Sequence, residues 1–114
     1  MQKFCFTCDL KNDPELIKEY KEYHKKGNVW KEVLESIKTS GVLNMEIYLI
    51  DTRMFMIIDA DDTFSLKEKR LMDAENEQVQ KWETMMNKFQ KIPNFSNGEK
   101  WILMEKIFDL SEHG

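Results

Sequence analysis

Residues 42 to 58 constrain the fold of this 114-residue chain more than any other stretch. Leu43, Met45, Ile47 and Leu49 alternate with Asn44, Glu46 and Tyr48, the period of a half-buried strand. Only Asp51-Thr52 separates them from Met54 to Ile58, an uninterrupted apolar run. Two strands joined by a two-residue turn pair antiparallel, and a run apolar at every position suits the middle of a sheet. Such a strand asks for cover on both faces.

Residues 3 to 10 offer a third strand, with Phe4, Phe6, Cys8 and Leu10 on one side and Lys3, Cys5, Thr7 and Asp9 on the other. Asn12-Asp13-Pro14 then turns the chain, with Asp13 as helix N-cap and Pro14 as the first helical residue. That helix reaches about His24 and ends at Lys25-Lys26-Gly27-Asn28. A second helix carries Trp30, Val33, Leu34 and Ile37 at i, i+3, i+4 and i+7, and Gly41 follows as a left-handed cap. Beyond the hairpin the spacing predicts helix from Ser65 to Leu71 and again from Asp73 to Phe89, the latter carrying Val79, Trp82, Met85, Met86 and Phe89 on one side. Trp101 to Phe108 reads as a last strand, and residues 110 to 114 as a frayed tail in which His113 has no role.

The order strand, helix pair, two strands, helix pair, strand is an α+β, ferredoxin-like split βαβ pattern with extra helices. Helices cover one sheet face. The other face is expected to meet a second copy of the chain, giving a homodimer of the dimeric α+β barrel type with a semi-polar cavity lined by Thr7 and Glu46. Residues 1 to 114 are expected to form a single domain.

Composition narrows the function classes. A net charge of -4 and the lack of a long Lys/Arg run argue against a nucleic-acid partner. No secretory pattern opens the chain and no apolar run reaches the roughly 18 residues of a membrane span, so the expected location is cytoplasmic with no membrane partner. Cys5 and Cys8 form a CxxC, but residues three apart on a strand face opposite sides, so they are expected to be two reduced cysteines. Zinc would need two further ligands, and His24 and His113 are the only histidines. Asp59, Asp61 and Asp62 could suggest a divalent cation, yet a strand end followed by a helix start favours Asp anyway. No metal is expected.

The chemically suggestive pair is Tyr20 and His24, four apart on one helix and therefore on one face. A phenol beside an imidazole can hold a small polar molecule and move its protons. Both residues also have ordinary uses: Tyr20 and Trp82 fit the core stripes of their helices, and a His near a helix end can face solvent.

Several ordered blocks resemble the L-rhamnose mutarotases and their relatives acting on other deoxy sugars such as L-fucose. They are Glu19-Tyr20 with His24, Val29-Trp30-Lys31-Glu32-Val33-Leu34, Ser40-Gly41 leading to Asn44 and Ile47-Tyr48-Leu49, Lys81-Trp82, and Lys106-Ile107-Phe108. Together they span roughly residues 3 to 110. The resemblance implies a monosaccharide substrate, His24 as proton donor, Tyr20 as a sugar-binding residue and Trp82 against the ring, with no cofactor. Three positions depart from the family pattern: Glu83 stands where a second Trp follows, Met45 replaces a sugar-contacting Tyr, and Lys25 to Asn28 is two residues longer. Glu83, and Glu46 on the expected cavity side of its strand, are further carboxylates that could accept from sugar hydroxyls. Two other classes compete: a cofactor-free oxygenase on the same architecture, and a non-enzymatic ligand-binding module.

Overall fold

A computed structural model describes residues 1–92 and 99–113. The chain runs through β1 (Gln2–Leu10), α1 (Pro14–Tyr23), α2 (Lys31–Thr39), β2 (Val42–Ile50), β3 (Arg53–Ala60), α3 (Leu66–Glu75), α4 (Glu77–Met86), β4 (Gln90–Lys91), β5 (Ile102–Leu103) and a 3-10 turn, Leu110–His113. The hairpin is β2–β3, turned at Asp51, whose φ is 53°. β3 lies between β2 and β1 in the order β2-β3-β1-β4, and β5 also pairs with β1. This antiparallel sheet, with the late strands beside β1, is the ferredoxin-like arrangement that the element order predicts.

Register decides which side chains meet. Phe4, Phe6 and Cys8 stand opposite Ile58, Met56 and Met54, which stand opposite Met45, Ile47 and Leu49. Directly opposed residues share a face. That face carries the core. Cys8, Leu10 and Met54 are buried with Tyr20, Val33, Trp82, Met86 and Phe89 from the helical side, while Phe6, Val42, Ile58, Ala60 and Phe64 form an adjoining group.

The opposite face carries Thr7, Phe55 and Tyr48 in one row and Cys5, Ile57 and Glu46 in the next. Cys5 and Cys8 thus lie on opposite sides of β1 as free cysteines, and burial pushes the Cys8 thiol up to about 12. The three aspartates at the end of β3 and just beyond it each have a partner: Asp59 faces Lys3 on the neighbouring strand, Asp61 accepts from Thr63, and Asp62 faces the N-terminal amine.

Four details differ from the sequence reading. A bulge between Val42 and Asn44 turns Leu43 away from Met45, leaving Leu43 exposed and Val42 buried. The late helix breaks at Asn76 rather than near Met72, because the Asn76 side chain accepts from the amides of Gln78 and Val79 and caps α4. Phe89 therefore lies beyond α4, and Gln90 opens a short strand opposite Leu10. The last strand pairs only at Ile102–Leu103, followed by one further bond from the Met104 amide to the Cys5 carbonyl. Beyond it Ile107 and Phe108 are exposed, and Leu110–His113 is a turn held by Asp109, whose carboxylate accepts from Ser111, instead of a frayed end.

Gly41 joins α2 to β2 at φ +102°, and a Cβ there would stand 2.8 Å from the Asp61 Oδ1. Both the dihedral and the contact exclude a side chain. Gly41→Ala should therefore cost at least about 1–2 kcal/mol in urea denaturation. Removing the contact with Asp61→Ala in the same chain should recover only part of that loss, because the dihedral cost stays.

Candidate active site

The site begins with local helix chemistry. Asp13 Oδ1 accepts from the amides of Glu15 and Leu16 at 3.0 and 3.3 Å, starting α1 at Pro14. Ten residues of helix then bring Tyr20 to the last turn and His24 to the C-cap. The last carbonyls of a helix lack intrahelical donors. His24 supplies one: its Nδ1 lies 2.8 Å from the Tyr20 carbonyl oxygen. A carbonyl only accepts, so Nδ1 carries the proton and the neutral ring keeps its lone pair on Nε2.

Aromatic packing holds that ring in place. The His24 and Tyr20 rings stack with centroids 4.2 Å apart, and the Trp82 ring meets His24 edge-on at 5.6 Å. Trp30 and Phe89 brace Trp82 and Tyr20 in turn. Tyr20, His24 and Trp82 therefore converge. Burial lowers the His24 pKa below the usual 6.5, opposed by the bond to the Tyr20 carbonyl, which raises it. Burial likewise pushes the Tyr20 phenol well above its usual value, so it remains a hydrogen-bond donor at neutral pH.

These groups border a cavity of about 560 Å³ between the helices and the sheet. Phe6, Met45, Ile47 and Met56 give it an apolar floor, while Tyr20, His24, Glu83, Gln90 and Lys100 supply polar groups. A mostly apolar concavity with a few converging polar groups is the usual form of a small-molecule site. Lys100 Nζ donates to Glu83 Oε2 at 3.2 Å and to Asn87 Oδ1 at 2.7 Å. Glu83 thus reaches the cavity wall already paired with a cation.

The cavity lies on the helical side of the sheet, not on the face expected to carry it. Glu46 and Thr7 point the other way. Glu46 is exposed and accepts from Asn44 and Tyr48, at 3.1 and 2.5 Å, and it lines no part of this cavity. The reason is parity: Glu46 sits between Met45 and Ile47, and those two face the helices. Sequence reasoning missed Gln90, Lys100 and Trp101. Gln90 fell in an expected helix end and Lys100 in a loop, where no period assigns a side chain to a face.

The match to an L-rhamnose mutarotase family model extends over residues 3–110. The chain is 35% identical over 113 residues to an L-fucose mutarotase of Xanthomonas campestris pv. campestris, covering 98% of this chain and 90% of that protein. It is 41% identical over 114 residues to a UPF0734 protein of Dictyostelium discoideum, covering 96% and 90% respectively. Its fold is similar to the crystal structure of an L-rhamnose mutarotase from Formosa agariphila, with a TM-score of 0.70, 23% identity, and coverage of 96% of this chain and 98% of that one.

The lowered His24 pKa means that protonation favours the unfolded chain. Stability from this group is complete above the unfolded value of 6.5 and is lost as pH falls below it toward the depressed folded value. An imidazole NMR titration should place the His24 midpoint below 6.5. A midpoint at or above it would show that the ring is solvated rather than held against Tyr20 and Trp82.

Proposed function

This chain belongs to the L-rhamnose mutarotase family, and we propose that it interconverts the α and β anomers of a deoxy aldohexose of the L-fucose or L-rhamnose type with His24 as the proton-transferring group. The observation that carries this reading is the convergence of a tautomer-fixed His24, a protonated Tyr20 and Trp82 around one cavity.

Mutarotation moves only protons and one C–O bond. His24 Nε2 takes the proton from the anomeric hydroxyl as the bond between the anomeric carbon and the ring oxygen breaks. The anomeric oxygen becomes an aldehyde carbonyl, and the imidazolium returns the proton to the ring oxygen. Because both oxygens start on the same carbon, one imidazole nitrogen can serve both. Rotation about the adjacent C–C bond turns the other carbonyl face inward, and the reverse proton transfers close the ring. A pKa below 6.5 keeps His24 a free base at neutral pH, as the first step requires.

Tyr20 donates to a sugar oxygen, and Trp82 presents apolar surface to the C–H side of the ring. Glu83, held by Lys100, accepts from a hydroxyl at the cavity mouth. The apolar floor suits the methyl group of a deoxy sugar. These polar groups favour a polyol over the flat aromatic substrate of a cofactor-free oxygenase. The outer sheet face, where Tyr48 and Ile50 are exposed beside Phe55 and Ile57, is the surface through which we expect two copies to associate.

Saturation-transfer NMR between the anomers of L-fucose and L-rhamnose should show exchange accelerated by the wild-type protein. His24→Ala should reduce that acceleration by about 10²–10⁴-fold while urea denaturation stays cooperative. Unchanged exchange in the variant would remove His24 from the chemistry. No acceleration with any of several deoxy sugars would overturn the mutarotase reading.

A further inference from the structure

Gln90 is 5% exposed and lines the cavity, yet no part of the chemistry above uses it. Its Nε2 donates to the Tyr20 hydroxyl at 3.3 Å. Its Oε1, fully enclosed, has no hydrogen-bond partner among the described residues. Exchanging the amide oxygen and nitrogen does not help, because the Tyr20 hydroxyl would then donate to the oxygen and the NH₂ would be left over. In either orientation one amide atom is unused. Leu10, Met86 and Phe89 are buried in the adjoining core, where a methionine would fill similar space without burying an unpaired polar atom.

A buried amide that leaves one strong group unused, at the wall of a cavity, is suited to a ligand that brings the missing partner. The Tyr20 hydroxyl, while it accepts from Gln90, keeps its own proton to donate. Gln90 and Tyr20 therefore hold an acceptor and a donor side by side, and because the Gln90 oxygen is fully enclosed, a ligand engages it only as the amide turns toward the cavity. A sugar hydroxyl both donates and accepts, and so do neighbouring hydroxyls on a ring. Resting on the mutarotase reading, we propose that Gln90 binds a ring hydroxyl of the sugar together with Tyr20, and that this contact selects which hydroxyl pattern the enzyme accepts. A site built to hydrogen-bond a hydroxyl rejects the analogue lacking it, because its own buried groups are then left unpaired.

The test compares wild type, Gln90→Met and Gln90→Leu on L-fucose and its monodeoxy analogues, with NMR anomer exchange and apparent KM as readouts. Wild type should lose about tenfold or more in apparent affinity for the analogue lacking one particular hydroxyl. Gln90→Met should bind L-fucose about tenfold more weakly, treat that analogue and the parent sugar alike, and leave the urea midpoint equal to or above that of wild type. Gln90→Leu should show the same pattern and guards against a local packing fault in one variant. Wild-type exchange together with unaltered discrimination in both variants would overturn the role of Gln90 and leave the mutarotase reading standing. Absence of exchange in wild type would overturn both.

Discussion

The in-register pairing of β1 with β3 is the constraint on which the remaining structure depends. From Gln2 opposite Ala60 to Asp9 opposite Arg53 it runs without interruption, and the β2–β3 pairing extends the same parity to Met45 and Ile47. A slip of one residue would move Phe6, Cys8 and Leu10 to the outer face and bring Thr7 and Asp9 against the helices. The cavity floor, the packing of Trp82 and Phe89 and the position of Gln90 opposite Leu10 would be lost together. The bidentate contact of Arg53 with Asp9 on the outer face is compatible with this register but is half exposed and adds little to it.

On that base the site is built by enclosing polar groups selectively. His24 spends its Nδ1 proton on the end of its own helix, which leaves Nε2 as the free base. Tyr20 stays a phenol because its surroundings disfavour the charge of a phenolate. Neither effect needs a charged neighbour. The charged pair at the cavity, Lys100 with Glu83, lies closer to solvent, where it can help orient a polar ligand without the large desolvation cost of a deeply buried pair. Desolvated Tyr20 and Gln90 thus lie deeper in, and the compensated charge of Glu83 and Lys100 lies farther out.

Much of this was readable from residue order. The Asp13-Pro14 start, the i,i+4 placement of Tyr20 and His24, the two-residue turn at Asp51-Thr52 and the left-handed Gly41 all rest on local chemistry, and the structure has each in its expected place. Trp82 was assignable to the inner stripe of its helix for the same reason. What failed was the assignment of faces and ends. Asn76 interrupts a continuous helical period by capping, and apolar residues from Met104 to Leu110 continue a strand-like pattern after the partner edge has ended. Glu46 looked inward only while the cavity was placed on the wrong side of the sheet.

The sequence by itself determined the α+β order of elements, the hairpin and the meeting of Tyr20 with His24, because each follows from interactions between residues within a few positions of one another. Only the tertiary structure decided that the cavity lies under the helices, that Lys100 reaches Glu83 and that Gln90 reaches Tyr20 across 70 positions of chain. Those contacts depend on how the sheet face and the helices close over each other. No local period encodes that closure, since it is set by which apolar surfaces must leave water together.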